Sequence, residues 1–186
     1  MNARIEPASA PFEPEIARAL ESVMQGAPPL ILFTTLARNS RIFQRFMAGS
    51  LLDNGSISLR EREIMIDRTT ALCGSEYEWG VHVAFFAEAA GLSPRQIAAT
   101  VERTPDESVW SVREGLILRL ADSLHNRATI DKELWAELAG EFSDEQLLEL
   151  IVLAGFYHTV SYLTNALALP LEAGAARFPK NHSISR

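Results

Sequence analysis

A chain of 186 residues, 47% hydrophobic and 22% charged, holds enough apolar material for one domain with a sizeable core and too much for a disordered segment. A formal net charge of −7 leaves no electrostatic footprint for nucleic acid or an anionic bilayer, so neither is expected as a partner. The single cysteine, Cys73, excludes an intramolecular disulfide and fits a reducing, cytoplasmic setting.

The N-terminus, MNARIEPASAPFEPE, has no apolar run of the kind a secretory signal needs. Residues 1–12 read as a Pro-rich arm that could pack on a neighbour, and residues 179–186 as a tail. Between them, 13–178 reads as a single all-α domain. Apolar periodicity and punctuation predict helices over 13–25, 29–37, 39–53, 58–73, 76–90, 94–103, 105–126, 131–140 and 144–168. Capping boxes mark several starts: Ser58 with Glu61, Ser93 with Gln96, Thr104 with Glu107, and Ser143 with Gln146. Gly55, Gly74, Gly91 and Gly140 stand near the predicted stops. No β-branched run alternates with polar residues over a strand length.

Two of these helices lack a polar face. Trp79, Val81, Val83, Ala84, Phe85, Phe86 and Ala87 wrap the 76–90 segment in apolar surface, and the 144–168 segment is similar. A helix apolar all round is buried all round, so 76–90 is expected at the centre of the bundle or sealed by another subunit. Two such helices in a small protein favour a homo-oligomer. The longest apolar run, 147–157, is broken by Glu149 and is too short to span a bilayer.

The segment from Glu63 to His82 carries the chemistry. Glu78 and His82 stand four apart and share a helix face, and Glu63 lies on the preceding helix across a short turn. The neighbours are mostly apolar, a setting in which ionisable groups acquire shifted pKa values.

Three stretches carry a family likeness: L-R-E-R-E-I-M-I-D-R (59–68), C-G-S-E-Y-E-W-G-V-H (73–82) and A-E-A-A-G-L-S-P-R-Q-I (87–97). In this order and spacing they resemble the carboxymuconolactone decarboxylase family, which includes the alkylhydroperoxidase D-like proteins. A-G-F-Y-H-T-V-S-Y-L-T-N-A (154–166) is a looser match to that family's last long helix. The resemblance implies an all-α, alkylhydroperoxidase D-like fold and assembly as a trimer or hexamer. It also implies a redox variant with a Cys-x-x-Cys pair, a histidine four residues later and a glutamate twelve residues upstream. His82 and Glu63 match the last two, but Ser75 and Glu78 occupy the cysteine positions. Peroxide chemistry by an internal thiol pair is therefore excluded.

Acid–base equipment remains. Decarboxylation of a lactone carboxylate needs a proton delivered to carbon and a group that steadies the developing enolate. His82 is the candidate proton donor, with Glu78 or Glu63 orienting it. Arg62 and Arg68 are candidates for a substrate carboxylate and Tyr77 for an oxyanion. The leading expectation is a cofactor-free decarboxylase-class enzyme acting on a small carboxylated lactone or enolisable acid. One alternative is an alkylhydroperoxidase-type antioxidant protein using Cys73 with an external thiol. Another is a non-catalytic oligomer that binds a small acid.

Each residue also has a plainer reading: His82 as a core histidine bonded to Glu78 or Glu63, Glu78 as a buried partner of an arginine, Glu63 as an exposed helix-surface carboxylate, Arg68 as an ion-pair strut between helices, Cys73 as an inert core residue. Glu63, Glu78 and His82 lack the spacing of common metal motifs, so no metal is expected. His125 reads as a cation at a helix C-terminus, His158 as a core histidine, and His182 carries no assignment.

Overall fold

The computed structural model describes residues 3–102 and 107–179. Among these it contains α-helices and one 3₁₀ turn, and no strand: α1 (Pro14–Met24), α2 (Ile31–Leu36), α3 (Ser40–Ala48), α4 (Leu59–Leu72), α5 (Glu76–Phe86), α6 (Pro94–Thr100), α7 (Val112–Arg127), α8 (Lys132–Glu141) and α9 (Asp144–Ala166), with the turn at Glu107–Val109 between α6 and α7.

The capping chemistry explains the starts. Ser58 with Glu61, Ser93 with Gln96, and Ser143 with Gln146 form reciprocal boxes at the heads of α4, α6 and α9. Thr104 and Pro105 lie outside the described residues. The helix expected from 105 begins instead at Val112, where Ser111 and Glu114 form a box absent from the sequence reading. The two capping glutamates also cross-link their helices. Arg60 of α4 reaches Glu114 at 2.5 Å, and Arg113 of α7 reaches Glu61 at 2.5 Å.

Two glycines set the stops that matter for the site. Gly74, at φ +63, closes α4: its N–H goes to the Ala71 carbonyl and that of Ser75 to Thr70. This is a Schellman end, and it needs a residue comfortable at positive φ. Ser75 then caps α5 at once, so α4 and α5 form a tight hairpin. Gly91, at φ +65, repeats the pattern after the final turn that follows α5. Gly140, by contrast, lies inside α8, and α3 stops at Ala48 rather than continuing to 53.

The centre of the bundle is α4, not α5. It packs against α5, α6, α7 and α9, and every residue from 63 to 71 is buried. Apolar Ile64, Met65, Ile66 and Ala71 share this central rod with Glu63, Asp67, Arg68, Thr69 and Thr70. A polar group so placed costs stability unless it finds partners. In α5 only Tyr77 to His82 are buried; Phe85, further along, is 59% exposed in the protomer. Within the protomer α5 is therefore sealed for half its length. Gly80 faces the chain's C-terminal segment so closely that any Cβ there would collide with the Ala176 carbonyl.

Among the described residues α9 is long and apolar enough to cross a bilayer, because the helix runs well beyond the apolar stretch 147–157. Leu150, Leu153, Tyr157 and Val160 face the core and account for much of that composition. Leu148, Val152, Gly155, Thr159 and Tyr162 form an exposed stripe on its other side. The N-terminal arm lies on its own chain: the Arg4 N–H donates to Leu167, and that of Ala8 to Thr34.

Candidate functional site

The site sits where α4, α5 and α9 meet. The α4–α5 hairpin brings Glu63 opposite His82, and α9 supplies Tyr157. His82 Nδ1 lies 2.7 Å from Glu63 Oε2. His82 Nε2 lies 3.0 Å from the Tyr157 hydroxyl and 3.4 Å from Glu78 Oε1. Arg62 donates from Nε to Glu63 Oε1 at 3.0 Å and from Nη1 to the Leu52 carbonyl at 2.8 Å. Its guanidinium also lies 5.6 Å from the centre of the Phe86 ring. The imidazole is packed between Phe86 and Tyr157, with ring centres at 5.2 and 5.0 Å.

The electrostatics decide the state of His82. Burial alone would strip its charge, but the hydrogen bonds and charges of Glu63 and Glu78 outweigh it and push its pKa up to about 10. At neutral pH His82 is an imidazolium with a proton on each nitrogen. One is held by Glu63, and the other is directed at Tyr157 and Glu78. Burial and the charges of Glu78 and Glu63 keep Tyr157 a phenol. The carboxylates approach opposite nitrogens of the ring, so Glu63, Glu78 and His82 do not converge on one ion.

Asp67 was missed by the sequence reading. It stands one helical turn after Glu63, a spacing that placed it on the same face. It is 1% exposed, and neither carboxylate oxygen has a hydrogen-bond partner among the described residues. Burial, and then the charge of Glu63, raise its pKa well above the usual carboxylate range against the opposing pull of His82. Asp67 is a buried carboxyl group beside a buried ion pair, biased toward its protonated form, and such a group can store or donate a proton.

Other candidates lie elsewhere. Arg68 points to the opposite side of α4, where it binds Asp122 Oδ1 at 2.6 Å and the carbonyls of Thr100 and Glu102 at 2.9 and 2.6 Å. Tyr77 donates to Glu172 and accepts the Leu32 N–H at 3.0 Å, which ties α5 to α2 and the C-terminal segment. Ser75, at the first vacant cysteine position, is fully buried and bonded to the Thr164 hydroxyl at 2.8 Å. Cys73, half-buried, meets His125 rather than the His82 group. His125 is not a helix-capping cation: burial and the neighbouring His158 lower its pKa. His182 lies outside the described residues.

Residues 38–104, which hold Glu63, Asp67, Glu78 and His82, match the model of the carboxymuconolactone decarboxylase family. This segment belongs to that family. No curated protein matches the chain by sequence. Among solved structures, a peroxidase-related protein from Silicibacter sp. TM1040 aligns over 90% of both chains, with 19% identity and a TM-score of 0.77. The debrominase Bmp8 in complex with 2,3,4-tribromopyrrole aligns over 94% of both chains, with 17% identity and the same TM-score of 0.77. An alkylhydroperoxidase AhpD core protein from Ralstonia eutropha JMP134 covers 90% of this chain and 93% of its own, with 16% identity and a TM-score of 0.61. At these identities the likeness is one of fold, and the fold is AhpD-like.

Proposed function

We propose that this protein is a cofactor-free enzyme of the carboxymuconolactone decarboxylase class, acting by proton transfer on a small carboxylated lactone or a related enolisable acid. The observation that carries the reading is the His82 imidazolium held between Glu63 and Glu78. In the reaction, the bond from the carboxylate to its neighbouring carbon breaks, and carbon dioxide leaves. The electron pair stays on the substrate as an enolate. The Nε2 proton of His82 then passes to carbon, and solvent reprotonates the ring, so one proton is consumed per carbon dioxide released. Arg62, at the edge of the group, supplies the positive charge that steadies substrate carboxylate and enolate. Arg68 and Tyr77, whose bonds lie away from the His82 group, take no part in this scheme.

The peroxide alternative has less support. Burial pushes the Cys73 thiol up, which leaves little thiolate to attack a peroxide. Carbon dioxide release from γ-carboxymuconolactone tests the proposal, with His82→Ala as control. Release is expected from the native protein, with a loss of at least about 100-fold in the variant. Absence of release from the native protein would rule out this substrate class and favour small-acid binding without turnover.

We also propose that the protein is a homo-oligomer, a trimer or hexamer, built on the exposed face of α9. Leu148, Val152, Gly155, Thr159 and Tyr162 recur at alternating steps of four and three, the spacing of a helix–helix seam. A second copy is a fitting cover for such a face. Sedimentation equilibrium is expected to give a multiple of the 20.6 kDa chain mass, reduced by Val152→Lys. A monomer at micromolar concentration would overturn the assignment.

A further inference from the structure

We propose that Cys73, His125 and His158 form a binding site for a divalent transition metal of the zinc type, separate from the His82 group. Three helices supply the ligands. Cys73 immediately follows α4, His125 lies in the last turn of α7, and His158 lies within α9. The thiol sulfur and one nitrogen from each imidazole all fall within 4.8 Å of one another. His125 Nδ1 is 3.1 Å from His158 Nε2 and 3.8 Å from Cys73 Sγ. Zinc bonds of about 2.0–2.1 Å to nitrogen and about 2.3 Å to sulfur, at tetrahedral angles, separate ligand atoms by about 3.3–3.6 Å. The nitrogen pair needs to open by a few tenths of an ångström and the thiol to close on the pair, movements within reach of side-chain rotation.

The surroundings orient the donors. His158 Nδ1 lies 2.9 Å from the Ala154 carbonyl oxygen, which can only accept, so the ring proton sits on Nδ1. Nε2 therefore presents its lone pair to His125. A backbone carbonyl behind a ligating imidazole is the usual second partner of metal-bound histidine. The two facing nitrogens cannot both carry lone pairs at 3.1 Å, so without metal the His125 Nδ1–H donates to His158. Metal entry moves that proton to His125 Nε2 and sends the Cys73 thiol proton to solvent. One proton is released, and binding tightens as pH rises. All three residues are half-buried, so ions can reach the site and a solvent molecule can complete a fourth position. Asp122, one turn before His125, carries a charge that favours a cation here, although Arg68 offsets it. One thiolate and two imidazoles select zinc or copper over magnesium or calcium.

Cobalt(II) is the probe, because a cobalt–thiolate bond gives an intense near-ultraviolet charge-transfer band that nitrogen and oxygen ligands do not. Chelator-treated full-length protein titrated with Co²⁺ is expected to develop this band to saturation at one ion per chain. Added Zn²⁺ should bleach it. Cys73→Ser is expected to abolish the band, and His158→Ala to weaken binding by at least about 10-fold, with the circular dichroism of both variants unchanged. A native protein that shows no thiolate band would overturn the site. So would a band of undiminished affinity in both His125→Ala and His158→Ala, since Cys73 would then bind the ion with other partners.

Discussion

Arg68→Met is expected to lower folding stability by about 3 kcal/mol or more, a fall in thermal midpoint on the order of 10 °C for a chain of this size. Arg68 is 1% exposed and sits on the most central helix. Its guanidinium satisfies Asp122 on α7 and two carbonyls at the end of α6, Thr100 and Glu102. Methionine keeps most of the aliphatic stem and removes every one of these bonds. Thr100 is fully buried, so water cannot replace what its carbonyl loses without opening the α4–α6 contact. Asp122→Asn is the informative companion. Its carboxylate is 32% exposed, and the variant leaves Arg68 with both carbonyls, so its cost is expected to stay near 1 kcal/mol. Urea denaturation of the two variants separates the contributions. Equal losses would show that the ion pair, rather than the carbonyl clamp, holds the helices.

The same residue shows where the sequence was legible. Its neighbours Ile64, Met65 and Leu72 signalled that a charge there needed a partner, but the chain gives no spacing rule that links residue 68 to residue 122. Local signals were readable because their physics is local. Ser58, Ser93 and Ser143 bond to groups three residues away, and Gly74 and Gly91 answer a φ requirement set by a single turn. The Glu63–His82 contact could be anticipated because only a short hairpin separates the two. Tyr157 could not be, since its bond to His82 spans the whole chain order from α5 to α9. Asp67 was overlooked for another reason: an aspartate one turn from a glutamate ordinarily marks a solvated face, and only the burial of α4 on every side pushes its pKa up. Of the two places that its composition offered α5, the centre of the fold is taken by α4. Hydrophobic composition predicts burial well, but α4 is the more buried helix despite carrying Glu63, Asp67 and Arg68, because those charges find partners or lose their charge.

Glu63→Gln is expected to lower the His82 pKa from about 10 into or below the neutral range. Glutamine preserves an oxygen acceptor for the Nδ1 proton but removes the charge that holds the imidazolium. Burial, which acts against the charged ring, then meets only Glu78. The groups facing His82 are Glu63, Glu78, Tyr157 and Asp67, and Arg62 is bonded to Glu63. The sign of the stability effect follows from the folded pKa lying above the unfolded value of about 6.5. Below about pH 6.5 both states hold the proton, and the native state keeps the full benefit. Above it the unfolded chain loses the proton first, so stability falls by up to about 1.4 kcal/mol per pH unit until the folded pKa near 10 is passed. Asp67 acts in the same direction at lower pH. Its raised folded pKa means that stability declines once the unfolded carboxyl ionises above about pH 3.9. Nuclear magnetic resonance of the His82 ring is expected to show no titration between pH 6 and 8 in the native protein and a clear one in Glu63→Gln. The variant should also lose the alkaline decline in stability above pH 7, while Asp67→Asn should flatten the decline that begins above about pH 3.9. A native His82 that titrates near its ordinary value would mean that Glu63 does not hold the charge, and would remove the proton donor on which the proposed decarboxylation depends.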